Sequence, residues 1–226
     1  RIHGLLRVSA LESSLNEIQR RHESLRMKFL EIDGRPCQIA APAEDRPLTR
    51  VDLRALPEAR RETEASRLIR AEAERPFALA RGGNLRVCLL RLGDDEHILA
   101  LTTHHIVADA WSMGILTSEL WALYEDYRTG KAPRPVESFC RYRDYAVWQR
   151  EHLQRETLQA QLDYWKARLA DAPALDLPVD RPRPAAPSFR GGKVSVELAE
   201  SLTSALIELS QRESVTLFMT LLAAFQ

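Results

Sequence analysis

Two residues, Asp33 and Gly34, constrain this chain more than any others. They stand between two arms of alternating apolar and polar side chains in LRMKFLEIDGRPCQIAA, and an Asp-Gly pair supplies the positive-φ positions that a two-residue hairpin turn requires. A hairpin forces antiparallel pairing, which excludes an all-parallel sheet. Because the remaining segments mix strand and helix patterns, the expected class is an α/β sandwich with a mixed sheet.

The order of those segments follows from their periodicity. RIHGLLRVS alternates as a strand, and SALESSLNEIQRRHESL places Leu11, Leu15 and Ile18 at helical spacing, with Ser9 as the expected N-cap and Glu12 three residues on. After the hairpin, PEARRETEASRLIRAEAERPF has one charged face and Leu68, Ile69 and Ala73 on the other, and should end before Pro76. NLRVCLLRLGDDEHILALTTHH reads as two strands around a Gly-Asp-Asp turn, followed by a helix from about Ser112 to a stop at Gly130. Tyr142 to Leu169 is helical with an interruption near Glu156. The proline-rich stretch 173–192 favours an extended connector, which sets expected boundaries of 1–172, 173–192 and 193–226. Beyond it KVSVELAESLTSALIELSQRESV repeats the strand-then-helix opening, and both chain ends read as cut from a longer polypeptide.

Composition removes several function classes. The 32 basic and 32 acidic side chains cancel, so no net field draws the chain to nucleic acid or an anionic membrane. No apolar run reaches the ~20 residues needed to cross a bilayer, and no signal peptide opens the chain. Cys37, Cys88 and Cys140 are odd in number and widely spaced, which argues against a disulfide framework and fits a reducing cytoplasm.

Chemistry concentrates in HHIVADAWS, residues 104–112, between a strand and a helix. Histidine is the side chain best matched to proton transfer near neutral pH. If strand geometry persists, His104 and His105 point to opposite sides. The following helix would aim its free N–H groups at the loop, a useful pairing where a carbonyl becomes an oxyanion. Other readings stay open: a structural His-His pair, Asp109 as an N-cap-region carboxylate, and Trp111 as core. No familiar zinc spacing supplies a third ligand, so no metal is expected.

HHIVADAWS resembles the H-H-x-x-x-D-G-W-S signature of condensation domains of nonribosomal peptide synthetases, relatives of chloramphenicol acetyltransferase. RHESLRMKF, from Arg21 to Phe29, resembles the family's R-H-E-x-L-R-x-x-F motif, and YRDYAVWQ, from Tyr142 to Gln149, its Y-x-D-Y-A-x-W motif. RPFALARGGNLRVCLLRL is similar to the segment before the sheet strands, and all four stand in the family's order.

The resemblance implies a chloramphenicol acetyltransferase-like two-layer sandwich with a mixed, largely antiparallel sheet, forming one of two lobes around a tunnel. It implies amide formation: an acceptor amine attacks a donor thioester, both delivered on phosphopantetheine by donor and acceptor peptidyl carrier proteins, with no cofactor held by the domain itself. An adenylation domain would adjoin in the same polypeptide, and the domain would be monomeric within it. His105 is implied to be catalytic, with His104, Asp109, Ala110, Trp111 and Ser112 supporting the loop. Asp109 is expected to be buried and paired with an arginine, Arg26 first and Arg21 second. Ala110 stands where the family usually has glycine, and loses easy access to positive φ. The family's S-x-A-Q-x-R and G-x-x-x-N-T motifs are missing, so the chain alone is expected to be inactive. A fatty acyl-CoA donor, as in starter domains, and a degenerate domain that recruits a partner are the alternatives.

Overall fold

The computed structural model describes residues 1–133, 141–174, 176, 178–182, 184–186, 191–192 and 194–226. Cys140 and part of the 173–192 connector lie outside these. The chain divides into two units, Arg1–Arg168 and Leu169–Gln226.

The first unit opens with β1 (Ile2–His3) and α1 (Val8–Arg21), then the hairpin β2 (Met27–Ile32) and β3 (Arg35–Ala40). Asp33 and Gly34 take φ of 50° and 72° at the turn, and Ile32 pairs with Arg35 across it. Next come β4 (Thr49–Asp52), α2 (Glu58–Glu74), β5 (Leu85–Arg91), β6 (Glu96–Thr103) and α3 (Ala110–Thr129), followed by α4 (Tyr142–His152) and α5 (Arg155–Leu169). Four strands form one sheet in the order β1-β6-β5-β4, with β4 parallel to β5 and the other pairs antiparallel. The hairpin stands apart as a two-stranded sheet. The expected mixed, largely antiparallel arrangement is therefore present.

Strand alternation assigns the two faces. Leu85, Val87 and Leu89 of β5, with Leu99 and Leu101 of β6, pack against Leu11, Leu15 and Ile18 of α1 and Leu116, Leu120 and Leu123 of α3. The intervening Cys88, Leu90 and Ile98 turn to the opposite face and meet Ala65, Leu68 and Ile69 of α2. Burial of each such leucine removes enough apolar surface from water to contribute about 1.5–3 kcal/mol. The pair α1–α3 on one face is the layer that fixes the start of α3, and so the loop that precedes it.

Two local expectations are corrected. Ser9 lies inside α1, which begins at Val8 with Arg7 at the N-cap and no side-chain cap bond. The Arg7 N–H is instead held by the Tyr124 hydroxyl of α3 at 3.0 Å, and Glu12 accepts from the Leu48 N–H at 3.1 Å; tertiary bonds displace the local capping box. Val194–Leu198, expected as a strand, has no regular structure. A strand exists only through a neighbour's backbone groups, and among the described residues it has none.

The second unit holds α6 (Glu200–Arg212) and α7 (Leu217–Phe225). Ser210 joins them: its hydroxyl donates to Leu206 O and shares a 2.7 Å hydrogen bond with the Thr220 hydroxyl. Among the described residues, no helix is long and apolar enough to cross a membrane.

Candidate functional site

The histidine loop begins where β6 runs out. The His104 N–H donates to Asn84 O at 3.3 Å, extending the β5–β6 pairing by one step. The chain then turns, closed by a Val107 N–H to His104 O bond of 3.1 Å, and enters α3 at Ala110.

Strand geometry does not persist through the two histidines, because β6 ends at Thr103 and His105 lies in the turn, yet their surroundings differ. His104 is half-buried, its ring meeting the edge of Phe77 with centroids 5.8 Å apart. Its Nδ1 accepts from the Ile106 N–H at 3.0 Å, which leaves Nε2 to hold the proton of the neutral ring. His104 is thereby committed to shaping the turn. His105 is exposed, and among the described residues its ring has no hydrogen-bond partner. It lines a groove of about 280 Å³ with Met27 and Phe29 of β2, Gln38 of β3, Val107, Asp109 and Tyr142.

Asp109 is the N-cap of α3. Its Oδ1 accepts from the Ser112 N–H at 2.8 Å and the Ser112 hydroxyl at 2.6 Å. These two bonds, with a smaller contribution from nearby His105, hold its carboxyl below the ordinary aspartate range. The expectation of a buried Asp109–arginine salt bridge is thus corrected. Asp109 is exposed, so it needs no cation to offset desolvation, and a partner three residues away is reached at little entropic cost.

Both candidate arginines are engaged elsewhere. The Arg26 guanidinium donates to Gln19 O at 2.7 Å, to Arg20 O at 3.3 Å and to Ala41 O. It ties the last turn of α1 to the end of the hairpin, satisfying helix-terminal carbonyls that have no intrahelical partner. Arg21 pairs through Nε with Glu17 at 2.7 Å.

Ala110 occupies the first helical position of α3, and the positive-φ residues other than glycine are Asp33 and Ser214 among those described. Alanine therefore meets the backbone requirement of this position, and glycine's freedom is not called on. Trp111 is 80% exposed and takes no part in a core among the described residues.

Several residues that sequence reasoning did not single out hold the loop in place. Asn84 has no solvent exposure, and its side-chain N–H donates to Met27 O at 2.7 Å. Arg86 stacks over Phe77 at 3.7 Å and donates to the carbonyls of Glu72, Arg75 and Pro76. It thereby anchors the ring that supports His104 to the end of α2. His22 Nε2 lies 2.8 Å from Glu119 of α3. Glu23 meets Arg143 at 3.4 Å, so the RHESLR stretch and the YRDYA stretch come together and bring Tyr142 to the groove. Pattern matching places both stretches in order but gives no sign that they touch. Among the described residues, no three histidine, cysteine, aspartate or glutamate side chains are grouped to hold a metal ion.

Comparison with known proteins adds the following. Residues 1–226 match the family described as the condensation domain. A linear gramicidin synthase chain of Brevibacillus parabrevis is 48% identical over 227 residues, covering 100% of this chain and 3% of that one. The X-domain in its solved complex with OxyB, from teicoplanin biosynthesis, is 31% identical with a TM-score of 0.79, over 95% of this chain and 47% of that one. The EpoB NRPS cyclization-docking bidomain from Sorangium cellulosum is 29% identical with a TM-score of 0.66, over 76% of this chain and 33% of that one. The chain therefore spans a small part of the gramicidin synthase polypeptide it matches and less than half of these two solved chains.

Proposed function

We propose that this chain, which belongs to the condensation-domain family, forms part of an amide-forming acyltransferase of a nonribosomal peptide synthetase, with His105 as its catalytic residue. In this reading one carrier protein presents an acyl or peptidyl group as a phosphopantetheine thioester, and a second presents an aminoacyl amine. The amine nitrogen adds to the thioester carbonyl and its proton passes to His105; the C–N bond forms, the C–S bond breaks, and His105 returns that proton to the departing sulfur, so the donor carrier leaves as a thiol and the imidazole is neutral again. A thioester is already activated, so no covalent enzyme intermediate is required.

The observation that supports this best is the contrast between the adjacent histidines. His104 is locked by Ile106 and Phe77, whereas the exposed His105 ring, without a hydrogen-bond partner among the described residues, lines a groove beside the N-terminus of α3. An unengaged imidazole is available to take a proton or to hold the attacking amine in line, and such positioning contributes several kcal/mol to barrier lowering.

Residues 1–172 serve in this reading as the acetyltransferase-like lobe, 173–192 as a crossover and 193–226 as the start of a second lobe. Both lobes shape the tunnel, so the isolated chain is expected to be inactive. The working form is a cytoplasmic multidomain chain, with the domain monomeric within it and an adenylation domain adjoining.

One observation favours a second reading. The X-domain that this chain resembles was solved in a complex with OxyB, which supports a domain that recruits a protein partner without chemistry. The test is a condensation assay on the full parent protein with amide product read by mass spectrometry, offering carrier-bound aminoacyl acceptor with carrier-bound peptidyl donors and, separately, fatty acyl-CoA. Amide product supports catalysis, and the productive donor distinguishes the elongating from the starter type. Absence of product with every donor favours recruitment.

A further inference from the structure

We infer that Asn84 is a positioning residue for this reaction: it fixes the separation between the β2 wall of the groove and the histidine turn, and so sets where His105 stands. The inference rests on the assignment of proton transfer to His105.

The geometry runs through three bonds. The Asn84 N–H donates to Leu25 O at 3.3 Å and its side-chain amide donates to Met27 O at 2.7 Å, while its own carbonyl accepts from the His104 N–H at 3.3 Å. One buried residue thus bonds to the strand that carries Met27 and Phe29 and to the residue next to His105, and Met27, Phe29 and His105 line the same groove. The chain reaches this place through Gly82 and Gly83, with φ of 77° and 73°. A Cβ on Gly82 would meet Lys28 Cγ at 3.3 Å and Met27 O at 3.5 Å, so the turn lies directly against the β2 backbone.

The Asn84 side chain is only half satisfied. Its Oδ1 is buried and has no hydrogen-bond partner among the described residues, an unfavourable arrangement. Leucine has a similar volume and would remove the unmatched Oδ1, but it would also take away the donor to the buried Met27 O. What asparagine adds is a directed N–H to one backbone oxygen of β2. A hydrogen bond specifies a distance, whereas apolar packing tolerates sliding.

The test uses the full synthetase, comparing native protein with Asn84→Leu and Asn84→Asp in steady-state condensation with a carrier-bound acceptor. Near-UV circular dichroism checks the fold of each. Asn84→Leu is expected to remain folded with kcat reduced about tenfold or more and KM within about twofold, because small misplacement of a reacting group costs rate rather than binding. Asn84→Asp offers an acceptor to Met27 O when ionised and a donor when protonated. Its kcat relative to native should therefore rise as pH falls into the raised range where a buried carboxyl takes up its proton. A folded Asn84→Leu with kcat within twofold of native overturns the inference. If Asn84→Leu does not fold, a pH-independent kcat ratio for Asn84→Asp overturns it instead. A native enzyme that makes no amide overturns the amide-forming reading and this inference with it, whereas an active native enzyme with unaffected variants overturns this inference alone.

Discussion

The Asp109 carboxylate is bonded twice by Ser112, through the backbone N–H at 2.8 Å and the hydroxyl at 2.6 Å. A residue whose family resemblance implied a long-range ion pair closes the first turn of α3 instead. Its role is to hold the helix start, and with it the far side of the histidine turn, at a fixed place beside the groove.

Asp109→Ala is expected to lower the melting temperature of the condensation domain by a few degrees and to reduce activity, while Asp109→Asn, still a good N-cap, retains most of both. The folded-state pKa is depressed, so the stabilisation from the carboxylate is present above the ordinary aspartate range near ~4 and is lost as pH falls through the lower folded value. Thermal melts of native and Asp109→Asn protein between neutral and acidic pH check this: their difference should shrink on the acid side.

Ala110→Gly, which restores the residue usual in the family, should leave the condensation rate within about twofold. The first helical position does not use positive φ, and glycine there loses backbone entropy, so a small fall in stability of at most about 1 kcal/mol accompanies the change. A large gain in rate would show that the loop has a second conformation only glycine reaches.

Arg26→Lys keeps the charge and loses the fork that spans Gln19 O, Arg20 O and Ala41 O. One ammonium cannot reach all three carbonyls. A loss of about 1–3 kcal/mol is expected, seen as a lower urea midpoint with an unchanged slope. A native-like midpoint would mean that the end of α1 and the hairpin are held without it.

The fold was legible where local chemistry decides it. Asp33-Gly34 specified its hairpin, Pro76 stood just beyond the end of α2, Gly130 with φ of 75° ended α3, and the Gly-Asp-Asp turn separated β5 from β6. Reading failed where distant groups compete. Ser9 lost the N-terminus of α1 because Tyr124, in contact only after folding, holds Arg7. Val194–Leu198 carries strand alternation but no strand, since pairing depends on a neighbour and not on pattern. Within the site, strand periodicity stops at Thr103, and the turn that follows leaves His104 half-buried and His105 exposed. Nothing local distinguishes Asn84, whose only sequence sign is the Gly82-Gly83 pair before it, or foretells that Glu23 would meet Arg143.

The most direct measurement separates the two histidines. His104→Ala removes the Nδ1 acceptor and the Phe77 edge contact, so it should cost about 1–2 kcal/mol of stability together with activity. His105→Ala removes an exposed ring without hydrogen-bond partners among the described residues, and should unfold like native protein. In the full synthetase, single-turnover condensation with carrier-bound donor and acceptor is expected to lose its amide product in His105→Ala while the fold is retained. Native rates from a folded His105→Ala protein would contradict the assignment of the chemistry to this residue.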